Sequence, residues 1–177
     1  DAYEVVPTYS VLDEWLGGFA PDFVSVIGGR AGGGKTALGM WIALQNGRRN
    51  RPGLYVSMEM KHWQCAARAA CTISGVSSTL PLRRQFHRMK EETLHKFVDA
   101  LSAQGSWPLY YVGDGRKLTL GQIRYHCRRY VQHHGVRLIV IDHLRKISIP
   151  GPGDLYSKQT ERIEGLIYKL PEEEAGG

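Results

Sequence analysis

The sequence predicts an α/β protein in which a mostly parallel β-sheet is flanked by helices. Short apolar runs alternate with stretches of helical periodicity, and this alternation is typical of parallel sheets. Residues 136–142 (VRLIVID) are nearly continuously apolar, which predicts a central parallel strand. A glycine-rich stretch at 28–34 lies between a predicted strand and a predicted helix, and it also favours this fold class.

The elements follow one another at short intervals. Strands are predicted at residues 23–28, 54–58, 109–112 and 136–142. Boundary residues predict three helices: from Ser10, with capping-box-like spacing to Asp13, to Gly17-Gly18; at 35–46, with Gly47 as the stop; and from the Thr119/Gln122 capping box to Gly135. A further helix is predicted at 62–74. Helical spacing of apolar residues predicts two more, one with the face Leu94, Phe97, Val98 and Leu101 and one with the face Ile163, Leu166, Ile167 and Leu170. We expect one domain over residues 1–177, with an N-terminal segment at 1–22, a core at 23–170 and a tail at 171–177.

The composition argues against a disulfide-stabilised protein and against a membrane-spanning protein. The chain has 177 residues, 42% hydrophobic and 23% charged, which is typical of a soluble globular domain. Its net charge of +6 is compatible with phosphate-bearing partners but does not establish nucleic-acid binding. The three cysteines have no disulfide-framework spacing, and no apolar run approaches the ~20 residues of a membrane span. We therefore expect a cytoplasmic protein with no membrane partner.

Residues 29–36 (GRAGGGKT) match the pattern G-x-x-x-x-G-K-[ST], the P-loop. In such a loop the backbone N–H groups point inward at a phosphate, and side chains would obstruct that approach. The following helix N-terminus adds further donors and partial positive charge. The predicted phosphate-binding residues are Gly29, Arg30, Ala31, Gly32, Gly33, Gly34, Lys35, Thr36 and Ala37. Lys35 is expected to reach the β- and γ-phosphates, and the Thr36 hydroxyl to bind Mg²⁺.

Two carboxylates follow predicted strands. Asp142 ends an apolar strand, at the sheet edge where ligands of open α/β sheets bind, and is the predicted second Mg²⁺ ligand beside Thr36. Glu59 ends the first predicted strand after the P-loop helix, so it is also expected near the phosphates. A carboxylate there can orient and deprotonate an attacking water. Glu59 and Lys35 are therefore the predicted catalytic residues.

In this order, these residues resemble the RecA-like motor domain of the DnaB family of replicative hexameric helicases. The resemblance covers residues 4–170 and runs through VPTYSVLDEWLGG, GRAGGGKT, YVSMEM, TLGQIRYHCRRYVQHHG and LIVIDHL. The SMEM element is the specific part, because very many NTPases share the P-loop. The resemblance implies an ATP-driven, Mg²⁺-dependent motor that forms a hexameric ring, moves along single-stranded DNA and unwinds duplex DNA. It also makes Glu59 the catalytic glutamate and Asp142 the Walker-B aspartate, with a primase or a loader protein as partner.

The sequence departs from the family pattern in two places. His143 and Arg145 stand where the family usually has a tyrosine and a glutamine. The family also continues with a strand carrying a γ-phosphate-sensing glutamine, DNA-contacting loops and an arginine finger, whereas this sequence ends at KLPEEEAGG. We therefore expect the fold to be incomplete at its C-terminus, and this chain by itself to bind ATP but hydrolyse it very slowly.

Two other functions remain open. A RecA-like ATPase that loads or regulates a partner would respond to that partner and not to DNA. A P-loop phosphotransferase would place phosphate on a small acceptor, although the 106-residue separation of Thr36 and Asp142 (142 − 36) fits that class poorly. Arg124, Arg128 and Arg129 share one predicted helix, whose basic side is interpreted first as solvent- or subunit-facing and second as a DNA contact.

Overall fold

The computed structural model describes residues 10–19, 23–149, 157–158 and 161–164. Its helices are α1 (Ser10–Leu16), α2 (Lys35–Arg48), α3 (His62–Ser74), α4 (Thr79–Leu82), α5 (Glu91–Gly105) and α6 (Leu120–His134), with short 3₁₀ turns at Phe86–Arg88 and Leu144–Lys146. Its strands are β1 (Gly53–Ser57), β2 (Leu109–Val112) and β3 (Leu138–Asp142). Residues 161–164 are also helical.

The described strands form one parallel sheet in the order β2-β1-β3. The register places Tyr55 beside Val140 and Ser57 beside Asp142, so β1 and β3 end at the same edge. All five residues of β1 are buried, whereas β3 is buried fully only at Asp142. The parallel α/β prediction is confirmed. Within the described ranges, however, the central strand is β1, and β3 lies at one side of the sheet.

Both faces of the sheet are covered, because successive side chains of a strand point to opposite faces. Tyr55 packs with residues of α2 and α3, including Met40, Leu44 and Cys65. Leu54 and Val56 pack on the other face in a cluster that includes Ile123 and Cys127 of α6. A third cluster joins α3 to α5, with Ala67, Ala70, Cys71, Phe97 and Ala100 buried between them. The site-bearing helix α2 therefore has a fixed position over the sheet.

The predicted strand at residues 23–28 is absent from the structure. These residues form no strand, and Phe23 and Val26 are 78% and 62% exposed. An apolar, β-rich segment becomes a strand only when a neighbouring strand accepts its hydrogen bonds and packs its side chains. Within the described residues this segment has no such neighbour. The P-loop is consequently followed by its predicted helix but is not preceded by a paired strand.

Two helix predictions needed correction. Helix α2 continues through Gly47 to Arg48, because Gly47 is buried against Trp107 and Leu109, and this close packing, not a turn, explains the glycine. Helix α5 buries Phe97 and Ala100, while Val98 and Leu101 remain 48% and 39% exposed. The apolar spacing identified the helix correctly, but the position of α3 selected a neighbouring face.

Other predicted boundaries are confirmed. The Thr119 Oγ1 atom accepts a hydrogen bond from the Gln122 N–H at 3.2 Å, and Gln122 Oε1 accepts from the Thr119 N–H at 2.9 Å, which completes the capping box. Gly135 ends α6 with a φ of 61°, and Gly17 follows α1 with a φ of 67°. Of the final predicted helix, Leu166, Ile167 and Leu170 lie outside the described residues.

Cys65, Cys71 and Cys127 are all free and buried. Burial raises the pKa of the Cys127 thiol to about 11 and also raises the pKa of the Cys65 and Cys71 thiols. None of the helices in the described ranges combines the length and apolar character that a membrane crossing requires.

A close approach of α2 to β3 can be tested at Gly39, where an added Cβ would lie 3.2 Å from Val140 Cγ1. We expect Gly39→Leu to lower the free energy of unfolding by about 1–3 kcal/mol, because the two elements must separate. Gly121→Leu is the matched control, since a Cβ there has Thr119 Oγ1 as its nearest neighbour, at 3.9 Å. Urea denaturation measures both variants, and equal effects would contradict the close approach.

Candidate active site

The glycine-rich loop adopts backbone conformations that depend on its glycines. Gly32 and Gly34 have φ angles of 75° and 83°, in the left-handed region that other residues rarely adopt. The Gly33 N–H donates to the Arg30 carbonyl at 3.1 Å, and a Cβ on Gly33 would lie 3.1 Å from that same oxygen. The loop is exposed along its length. It therefore presents backbone to a ligand with few side chains in the way.

Lys35 lies back across this loop. Its Nζ atom donates to the carbonyl oxygens of Gly29 at 2.8 Å and Arg30 at 2.7 Å, which uses two of the three ammonium N–H groups. Helix α2 begins at Lys35, and its backbone hydrogen bonding begins at the Leu38 N–H, which donates to the Gly34 carbonyl at 2.9 Å. The N–H groups of the first helical turn thus have no acceptor in the helix. Ammonium, helix end and loop together make a positive environment suited to phosphate.

The two predicted metal ligands meet in the folded chain. Thr36 Oγ1 and Asp142 Oδ1 are 3.3 Å apart although the residues are 106 positions apart in sequence. Asp142 is only 6% exposed, and α2 brings Thr36 to it by crossing β3 at Gly39. Hydroxyl and carboxylate oxygens are the donors that Mg²⁺ prefers, usually one or two carboxylates with substrate phosphates and water completing the shell. The residues present therefore fit a magnesium ion.

Tyr55 is part of this site and was not identified from the sequence. Its hydroxyl donates to Asp142 Oδ2 at 2.9 Å. Burial raises the pKa of Tyr55 far above its ordinary value, and the charge of Asp142 and the hydrogen bond to it raise it further. Tyr55 thus stays protonated and fixes one carboxylate oxygen while the other faces Thr36. The available signal was a tyrosine inside an apolar strand, on the face opposite Leu54 and Val56.

Glu59 lies in the bend that follows β1. The Met58 N–H donates to the Asp142 carbonyl at 2.8 Å, and the Met60 N–H donates to Ser57 Oγ at 2.9 Å, so the bend is tied to the end of β3. The Glu59 side chain is 42% exposed, and its Oε1 atom lies 2.9 Å from His143 Nε2. Glu59 therefore stands at the predicted sheet edge, with His143 as its direct partner.

Glycines after β2 also shape this edge and were not identified from the sequence. Gly113 has a φ of 95°, and a Cβ there would overlap the Ser57 carbonyl. A Cβ on Gly115 would lie 3.3 Å from the Glu59 carbonyl. The chain leaving β2 can pass behind the Glu59 bend because these residues lack side chains. The glycine-aspartate-glycine turn signal at 113–115 was the available indication.

A family model described as the DnaB-like helicase C-terminal domain matches residues 5–169. The chain belongs to this family. Replicative DNA helicase DnaB of Treponema pallidum is 30% identical over 171 residues, which cover 96% of this chain and 37% of that protein. Replicative DNA helicase DnaB of Pasteurella multocida is 25% identical over 167 residues, covering 93% of this chain and 35% of that protein. The chain thus spans a little over a third of these curated relatives.

Solved structures share the fold of this DnaB-like chain. One of them is described as the structure of a DnaB-like replicative helicase and its interactions with primase. It matches with a TM-score of 0.80 and 18% identity, covering 96% of this chain and 41% of that one. A second solved structure, described as an ATPase domain, matches with a TM-score of 0.65 and 17% identity over 77% of this chain and 48% of that one. The predicted RecA-like P-loop fold class is therefore confirmed.

The contribution of the Tyr55–Asp142 hydrogen bond to the free energy of unfolding can be tested. We expect Tyr55→Phe to lower the free energy of unfolding by about 1–3 kcal/mol, because the Asp142 carboxylate remains buried without its donor. Tyr111→Phe is the matched control: it is the cross-strand neighbour of Tyr55, and its hydroxyl makes a longer bond of 3.3 Å to Gln104 Oε1. Urea denaturation of both variants measures the difference. An unchanged free energy of unfolding in Tyr55→Phe would show that the hydroxyl–carboxylate bond does not stabilise the site.

Proposed function

We propose that this chain is the ATP-binding and ATP-hydrolysing motor domain of a replicative DNA helicase. The observation that carries the proposal is the meeting of Thr36 Oγ1 with the buried Asp142 carboxylate beside a glycine loop and Lys35. Phosphoryl transfer requires hydrogen-bond donors to the phosphates and oxygen ligands for Mg²⁺ in one place. Membership of the DnaB-like family supports helicase action as the use of that chemistry.

Binding is assigned to the loop and the start of α2. Backbone N–H groups of residues 29–37 donate hydrogen bonds to the phosphate oxygens. The Lys35 ammonium exchanges its present acceptors, the Gly29 and Arg30 carbonyls, for phosphate oxygens of ATP. Thr36 and Asp142 would hold Mg²⁺, which would neutralise charge on the β- and γ-phosphate oxygens. Tyr55 keeps the Asp142 carboxylate in one orientation.

Hydrolysis is assigned to Glu59. A water oxygen attacks the γ-phosphorus, the bond from that phosphorus to the bridging oxygen breaks, and its electron pair leaves with ADP. The Glu59 carboxylate orients the water and accepts its proton. Its exposed position at the edge shared with Asp142 is compatible with reaching both water and substrate. A side chain that acts only on water is expected to affect turnover more than ATP binding.

Single-stranded DNA, a hexameric ring and a primase or loader protein are the proposed partners. The relatives are replicative DNA helicases by name, and one structural neighbour is described with its interactions with primase. The net charge of +6 suits a polyanion, and α6 contributes exposed Arg128 and Arg129 without any acidic residue. Hydrolysis that increases with single-stranded DNA tests this proposal against a loader or regulatory ATPase, which would respond to protein alone.

The role of Lys35 can be tested by nucleotide-dependent stabilisation. At ligand concentrations near 100 Kd the unmodified protein should gain ~2.7 kcal/mol in free energy of unfolding. Lys35→Ala should lose most of this gain, because the ammonium serves the phosphates and lies on the exposed loop, not in the core. Lys96→Ala is the control, since Lys96 pairs with Glu92 on the surface of α5. Thermal unfolding with and without ATP measures the stabilisation of both variants. Full stabilisation of Lys35→Ala by ATP would show that Lys35 does not bind the nucleotide.

Glu59→Gln is expected to retain ATP binding and to lose turnover about 10²- to 10⁴-fold, the usual contribution of general base catalysis. Glu92→Gln on the surface of α5 is the control and should behave as the unmodified protein. The measurements are ATP affinity by titration and single-turnover hydrolysis, with and without single-stranded DNA. Failure of the Glu59→Gln protein to bind ATP would make Glu59 a structural residue instead.

A further inference from the structure

We infer that His143 is a positioning residue for Glu59, and this inference rests on the proposed function. The imidazole Nε2 atom lies 2.9 Å from Glu59 Oε1, within hydrogen-bonding distance. Neither the P-loop pattern nor the carboxylates identify a histidine with this role. The two residues are 84 positions apart, so the pair exists only because β1 and β3 end at the same edge.

The chemistry of the pair fixes the direction of the hydrogen bond. An ionised carboxylate has lone pairs but no proton to donate. The bond therefore requires a proton on His143 Nε2, which donates to Glu59 Oε1. This leaves the second carboxylate oxygen, Oε2, available for the water of the proposed reaction. Within the described ranges, His143 is the side chain that donates to this carboxylate.

The two side chains differ in how freely they can rotate. Glu59 is in a bend with a 42% exposed side chain that has several rotatable bonds. His143 follows the buried Asp142 directly, and its carbonyl accepts the Lys146 N–H at 3.0 Å at the start of the Leu144–Lys146 turn. A donor on this anchored segment restricts the Glu59 carboxylate to one orientation. Such restriction raises the rate of a general base without contributing to ATP binding.

The test is a comparison of His143→Leu, His143→Gln and Glu59→Gln with the double variant Glu59→Gln/His143→Leu. Leucine removes the donor, whereas the glutamine amide nitrogen can occupy nearly the position of Nε2. His95→Leu on the exposed side of α5 is the matched control. Single-turnover hydrolysis is measured with protein in excess over radiolabelled ATP, which detects slow rates, and ATP affinity is measured separately.

We expect His143→Leu to reduce the single-turnover rate about 10- to 100-fold, the range expected for one hydrogen bond to a charged group, with little change in ATP affinity. His143→Gln should recover most of the rate. In the Glu59→Gln background, His143→Leu should cause no further loss, because a residue that acts through Glu59 has nothing left to position. A purely structural role would reduce both backgrounds equally and would overturn the inference.

Other outcomes separate this inference from the proposed function. If Glu59→Gln loses turnover while His143→Leu hydrolyses at or above the unmodified rate, the inference fails and the proposed function stands. If the unmodified protein hydrolyses ATP no faster than Glu59→Gln, the proposed function fails and the inference fails with it. Histidine ¹⁵N NMR supplies a readout independent of activity: His143 should carry its proton on Nε2, and Glu59→Leu should allow both tautomers. Mixed tautomers in the unmodified protein would contradict the hydrogen bond.

Discussion

The candidate site depends on the buried Asp142 carboxylate at the end of β3. One oxygen faces the Thr36 hydroxyl and the other accepts the Tyr55 hydroxyl, while its backbone carbonyl accepts the Met58 N–H. Because a buried carboxylate is costly without such partners, these contacts are a requirement of the fold as well as of the chemistry. Helix α2, strand β1 and the bend that carries Glu59 are all tied to this one residue.

Close backbone approach is the second constraint on the site. Helix α2 can reach β3 because Gly39 leaves room for Val140, and the chain after β2 can pass the end of β1 because Gly113 has no side chain. The loop glycines before α2 serve a different purpose, since Gly32 and Gly34 adopt left-handed conformations at an exposed surface. The same residue type therefore brings elements together in the interior and exposes backbone N–H groups at the loop.

Several elements could be predicted because their signals are local. The Thr119/Gln122 capping box, the stop at Gly135 and the P-loop spacing each depend on a few adjacent residues, and all three are present as predicted. The strand predicted at 23–28 is absent because a strand also needs a neighbour, which local sequence does not supply. Similarly, the buried face of α5 depended on where α3 lies.

The sequence by itself determined the fold class, the P-loop and the identities of Lys35, Thr36, Glu59 and Asp142 as candidate site residues. Spacing and residue chemistry carry this information, because phosphate and magnesium ligands come from a small set of side chains. Only the tertiary structure paired Tyr55 with Asp142 and joined Glu59 to the segment after β3. Those contacts follow from the parallel register of β1 with β3, and register is set by packing between residues far apart in the chain.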